Sequence, residues 1–182
     1  MKYYTADWHL FHQNVIRYSN RPFGTVEEMN EALVSNTNNT VGPNDELYFL
    51  GDVGMGNIER IHEVLRRIVC KNLHLIEGNH DPSALSRLPI WKSVSQIKEV
   101  KDYVGGTKHP VVLCHYKMVE FNRSHYGALQ LFGHAHGTEA GNQQQIDVGV
   151  DCWDYRPITL VEAKARMETL DPMPRGAHSI RE

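Results

Sequence analysis

Five short pieces of this chain carry side chains able to do chemistry. They are Asp7-x-His9, Gly51-Asp52, Gly78-Asn79-His80-Asp81, a lone His115 behind the apolar run VVLC, and Gly133-His134-x-His136. Their donors are carboxylate oxygen, amide oxygen and imidazole nitrogen, with no cysteine among them. That mixture suits Mn, Fe, Zn or Ni better than a thiolate site or an all-oxygen calcium or magnesium cage. Two ions can share a carboxylate, and in two-metal hydrolases they stand roughly 3.5–4 Å apart. Asp52, on the middle of the first three pieces, is the natural bridge. Asn79 is the odd member, because an amide is a poor base and a weak nucleophile. It is either a turn residue or a neutral carbonyl oxygen offered to a metal, with His80 facing whatever that metal holds.

These residues need elements to position them. Residues 2–6 read as a strand ending at Asp7. A helix is expected over 25–36, opened by a T-x-x-E capping box (Thr25, Glu28), with Val26, Met29 and Leu33 at helical spacing. GPND (42–45) is a turn, and ELYFLG (46–51) a strand ending at Asp52. A second helix is expected over 58–69, capped by Asn57, with Ile58, Ile61, Leu65 and Ile68 on one face. Residues 72–78 form a third strand ending at Asn79. Strands alternating with helices predict a parallel sheet with right-handed crossovers. Ligands of open α/β sheets bind at the carboxyl ends of the strands, where these residues fall. The second half predicts strands within 94–116 joined by a hairpin at Gly105-Gly106, strands over 128–137 and 144–151, and a strand running into a helix over 157–170. The expected fold class is α/β, a two-sheet β-sandwich flanked by helices, in one domain over 1–170 with a frayed tail over 171–182.

The 182 residues suit one domain with a sizeable core. With 19 Lys and Arg against 22 Asp and Glu, the net charge of −3 gives no support to binding long nucleic acid. Cys70, Cys114 and Cys152 are odd in number and lack C-x-x-C spacing, so no disulfide framework is expected. The N-terminus reaches polar residues too soon for a signal peptide. No apolar stretch approaches the roughly 18 residues of a membrane span. A cytoplasmic location is expected.

Taken in order, D-x-H, G-D, G-N-H-D, H and G-H-x-H resemble the calcineurin-like metallophosphoesterase superfamily. The stretches DWHLFHQNVIRYSNRPF and VGVDCWDYRPITL are similar to small, cap-less bacterial and phage phosphoesterases of that superfamily. The resemblance implies an αββα fold and two divalent ions, Mn first, with Fe, Zn or Ni as alternatives. Asp7, His9 and His136 would hold the first ion and Asn79, His115 and His134 the second, with Asp52 shared. A neutral Asn79 then limits the negative charge on the site. His80 would stabilise the transition state or protonate the leaving oxygen, with Asp81 orienting its ring. A hydroxide between the ions would attack phosphorus in line.

The run GDVGMGN lacks the arginine that protein Ser/Thr phosphatases of this superfamily carry there, and no insertion is long enough for a cap. The implied site is shallow and open. The implied activity is a binuclear metal-dependent phosphohydrolase acting on a small phosphate ester, with nucleotide-like or cyclic phosphodiesters favoured. A phosphomonoesterase on a small phosphorylated metabolite is the alternative, and a catalytically inactive interaction scaffold a third reading. His12, Asn14, Arg17, Arg21, Arg123 and His125 are candidate substrate contacts; an arginine fork would suit phosphate oxygens, while a solvated surface is the other reading of each. His62 and its basic neighbours on the second helix read as a solvated face, and His74, His109 and His178 as structural or incidental. Trp8 either lines the site or packs.

Overall fold

Alternation along the first strands decides which way each side chain faces, and so builds two apolar layers at once. The computed structural model describes residues 1–139 and 141–173. Strands β1 (Lys2–Thr5), β2 (Glu46–Leu50), β3 (Asn72–Ile76) and β4 (Trp91–Ser95) form an all-parallel sheet in that order. Leu47 and Phe49 point to one face, with Met29 and Leu33 of α2 (Val26–Thr40) and Ile61 and Leu65 of α3 (Ile58–Leu65). Tyr48 and Leu50 point to the other, where they join Val111, Leu113, Leu129, Leu131 and Ile146.

Those partners come from a second sheet, with order β5 (Ile97–Val104), β6 (Thr107–Cys114), β7 (Leu129–Phe132), β8 (Gln145–Asp147). β5 and β6 make the antiparallel hairpin expected at Gly105-Gly106, and β6, β7 and β8 run parallel. The protein is therefore α/β, with two sheets and flanking helices. Helix α4 (Leu160–Met167) packs against β1, β5 and β8, and its Leu160, Ala163 and Met167 extend the layer between the sheets. Loop residues Met118, Phe121 and Ala128 cover Val112 on the other side of β6.

Several elements differ from expectation for local reasons. Helix α2 runs to Thr40, and α3 stops at Leu65, short of the expected 69. The Asn38 amide ends α3: its oxygen accepts from Val69 N–H and its nitrogen donates to Arg67 C=O, satisfying groups left over at the helix end. Thr25 caps α2, but Glu28 reaches Gly24 N–H instead of closing the box. The full capping box lies at Thr159 and Glu162 of α4. The strand expected before α4 is a single bridge, Tyr4 to Ile158. A short helix α1 (Gln13–Tyr18) follows the first motif. β7 ends at Phe132 and gives way to bends and turns, while β8 ends at Asp147 and is followed by a single bridge from Gly149 to Ala6 and a 3₁₀ turn over Val150–Cys152. The expected frayed tail lies outside the described residues beyond Met173, as does His178. No helix among the described residues is long and apolar enough to cross a membrane.

Candidate metal centre

The backbone at the strand ends is unusual before any side chain is considered. Asp7, His9, Asp52, His134 and His136 all have left-handed φ, between 48° and 68°. Such a conformation is uncommon outside glycine, is most tolerated by Asn, Asp and His, and collects at functional sites. It turns the chain sharply at the sheet edge. Close approach does the rest: a Cβ on Gly51 would lie 2.6 Å from both Gly78 Cα and His115 Nδ1, so only glycine lets the ends of β2, β3 and β6 meet. Asp7 N–H to Gly51 C=O (3.0 Å) and His9 N–H to Asp52 C=O (2.9 Å) then carry pairing between β1 and β2 into the loops.

Two donor groups result: Asp7, His9 and His136, and Asp52, His115 and His134. Asp52 stands between them. Its Oδ2 is 3.6 Å from His9 Nε2 and 3.5 Å from His115 Nε2, while its Oδ1 accepts from His80 N–H at 2.9 Å. Asn79 turns its Oδ1 to within 3.1 Å of His115 Nε2. The tautomers follow from the outer partners. His115 donates from Nδ1 to Leu50 C=O (2.7 Å) and His136 from Nδ1 to the Asp151 carboxylate (2.7 Å), so both Nε2 atoms are free to face inward. His9 Nε2 and His136 Nε2 lie 3.2 Å apart. Asp7 is held by His134 N–H, which reaches both of its oxygens at 3.0 and 2.9 Å.

The electrostatics ask for cations. Burial pushes the Asp7 carboxyl up to about 7, against the pull of His136. Burial also pushes Asp52 up, but the His115 contact, His80 N–H and His9 outweigh it and bring it to about 2. His9 is driven down to about 3, chiefly by desolvation, so its ring is neutral and keeps a lone pair. His115 is raised despite burial because Asp52 draws positive charge onto it. The Asp52 oxygen thus seeks a positive partner, which in the chain alone is the His115 ring. These residues fit a pair of divalent ions, one per donor group.

The seven residues expected as ligands therefore come together. His80 is exposed, its ring 5.6 Å from that of His9, and His12 joins the same edge, 5.5 Å from His9. Two expectations are corrected. Asp81 does not orient the His80 ring: its carboxylate accepts from the N–H groups of Asp52 (3.0 Å), Val53 (2.7 Å) and Gly78 (2.9 Å), and so clamps the ends of β2 and β3 together. Arg21 is not a substrate contact. Its side chain is fully buried, paired with Asp151, and donates to the carbonyls of Asp7 (2.7 Å) and Trp8 (2.9 Å). Its charge supports the first loop from beneath. Asn14, Arg17, Arg123 and His125 are exposed, and among the described residues no hydrogen bond or ion pair joins their side chains to the donor groups.

Trp8 packs: it is fully buried, edge-on to Phe49, with its N–H on Thr5 Oγ1. His74 is buried against Tyr48 and Ser93. Asp151, Tyr116, Ser19 and Asp147 escaped the motif reading. Asp151 fixes His136, and Ser19 Oγ lies 3.2 Å from the same nitrogen. Tyr116 donates to Asn79 Oδ1 (3.2 Å), and Asp147 accepts from Gly137 and Gly149 N–H. A carboxylate following the apolar run at 146–150, in a chain rich in histidine, was the available signal for Asp151.

Comparison with known proteins gives the fold. No family model matches the chain. An uncharacterized protein of Methanocaldococcus jannaschii is 29% identical over 167 residues, covering 87% of this chain and 86% of its own length. A crystal structure of a protein of unknown function from Aquifex aeolicus superposes with a TM-score of 0.69 at 21% identity, covering 91% of this chain and 98% of that one. The likeness to the Aquifex protein shows a shared fold. YfcE, a phosphoesterase from E. coli, superposes at a TM-score of 0.41 and 17% identity, over 81% of this chain and 77% of that one.

Proposed function

We propose that the protein is a binuclear metal-dependent phosphoesterase acting on small phosphodiesters, with Mn²⁺ as the working ion. The observation that carries this reading is Asp52 Oδ2, one ionised oxygen at nearly equal distance from the facing nitrogens of His9 and His115. Asp7, His9 and His136 would hold one ion, Asn79, His115 and His134 the other, and Asp52 both. Bound there, such a pair supplies Lewis-acid polarisation of a phosphate and an activated water at neutral pH.

The chain's own contribution is position. The left-handed loops and the Asp81 clamp hold the donors without rearrangement, which electrostatic catalysis requires. His80 stands exposed over His9, on the open side of the donors, where its imidazole N–H can give a proton to the leaving oxygen. Its backbone N–H meanwhile fixes the Asp52 oxygen that does not bridge. A diester presents a single negative charge at phosphorus, which two ions offset by only two carboxylates, Asp7 and Asp52, suit.

The test is hydrolysis of bis-p-nitrophenyl phosphate and p-nitrophenyl phosphate by chelated protein, before and after reloading with Mn²⁺. Activity absent in chelator, restored by Mn²⁺ and stronger on the diester is the expected result. Full activity in chelator would remove the metals from the reading, and a monoester preference would reassign the substrate class.

A further inference from the structure

We propose that the substrate is a nucleotide phosphodiester, gripped by stacking on two exposed tyrosine rings, Tyr18 and Tyr116, one on each side of the metal centre; this rests on the phosphoesterase reading above. Tyr18 closes α1 and is 76% exposed. Its ring lies 6.4 Å from that of His12, which lies 5.5 Å from His9 of the first donor group. Tyr116 is 46% exposed, with its ring 5.0 Å from His115 and 4.9 Å from His134 of the second. Two runs of rings thus lead away from Asp52, which stands between His9 and His115, and each ends in a solvent-facing tyrosine.

Tyr116 is exposed and yet firmly placed. Beneath its loop the buried Gln130 donates from Nε2 to Tyr116 C=O (2.8 Å) and accepts from Met118 N–H (3.1 Å). Gln145, also buried, donates to the same Gln130 oxygen and to Met118 C=O. Two buried amides therefore hold the backbone of a residue whose ring is left in water. A ring fixed at its base and open at its face is a preorganised platform, which loses little freedom when a ligand lands on it.

The charges point the same way. A terminal phosphate is commonly gripped by a guanidinium fork. Here Arg21, which bonds the carbonyls of Asp7 and Trp8 in the first motif, is committed to Asp151 beneath the loop. The rings of His12 and His80 stand beside His9, and that of Tyr116 beside His115 and His134. The two ester arms of a phosphodiester diverge from phosphorus, so a phosphate centred at Asp52 sends one arm past His12 toward Tyr18 and the other past His134 toward Tyr116. Flat bases stack on tyrosine whatever their sequence.

The test compares two chromogenic diesters that release the same leaving group, thymidine 5′-(p-nitrophenyl phosphate) and methyl p-nitrophenyl phosphate, on the Mn²⁺-reloaded protein. The KM for the thymidine ester is expected to be lower by about tenfold or more, the scale of one stacked base. Tyr18→Leu or Tyr116→Leu should bring the ratio of the two KM values toward one, and Tyr116→Phe, which keeps the ring, should preserve it. Equal KM values in the unaltered protein, or a ratio that neither leucine variant changes, would overturn the stacking proposal while leaving the phosphoesterase reading in place. Turnover of neither diester, nor of p-nitrophenyl phosphate, would overturn both.

Discussion

The Arg21 guanidinium grips the Asp151 carboxylate in a fork, Nε to Oδ1 and Nη2 to Oδ2 at 2.8 Å each, across 130 positions of sequence. Asp151 passes the contact on to His136. Removing one partner of a buried pair strands the other charge, so Arg21→Ala is expected to cost about 3–5 kcal/mol in urea unfolding, and lysine, lacking the fork, should not restore it. Asp151→Asn leaves the same guanidinium without its counter-charge and should also lower the urea midpoint, and in the folded protein it should weaken the first ion about 10–100-fold by calorimetric titration. Unaltered affinity in that variant would show that His136 is oriented by something else.

Asp52→Asn should weaken both ions together, since Oδ2 faces both donor groups. Metal content after gel filtration is the readout. One ion retained at normal affinity would mean that the two groups are independent.

His80 and Asp81 are neighbours with separable tasks. His80→Ala keeps the backbone N–H on Asp52 and should retain fold and metal while losing turnover by about 10²–10⁴-fold. Asp81→Ala strands three backbone N–H groups and should lower stability by several kcal/mol, roughly 1–3 for each buried donor left unpaired. Thermal melts beside initial rates distinguish the two. A stable Asp81→Ala protein with impaired turnover would return Asp81 to a role on the His80 ring.

His74 should make stability depend on pH outside the metal centre. Burial lowers its pKa below 6.5; Lys98, Lys92 and Lys2 add to the effect and Glu46 opposes it. The folded state therefore favours the neutral ring, and this contribution is fully present above pH 6.5 and declines as the pH falls below it. His74→Phe, which can keep the stack on Tyr48, should flatten the fall in urea midpoint between pH near 7.5 and about 5.5 relative to the unaltered chain. Parallel curves would assign the acid sensitivity to other groups.

Much of this was legible in the sequence because strands that end in a chemically loaded residue announce both element and site. Tyr48 and Phe49 sit on opposite faces as alternation requires, and Asp52 follows their strand directly. What escaped was held by partners far along the chain. Arg21 beside a D-x-H motif reads as a phosphate fork until Asp151, far downstream, is seen to occupy it. Asp81 beside His80 reads as its orienting acid, but three backbone N–H groups from two loops compete for its oxygens and prevail. Helix lengths failed for the same kind of reason: the end of α3 is decided by Asn38 on another helix.

The left-handed backbone under five of the seven expected ligands also restricts which side chains evolution can try there. Asp, Asn and His are the donor-bearing residues that occupy this conformation most readily, whereas bulkier or branched ones incur strain. The palette of the centre was thus narrowed by chain geometry before any metal exerted a preference. A lineage bearing this fold can exchange ions by retuning the residues around the ligands more easily than by replacing the ligands themselves.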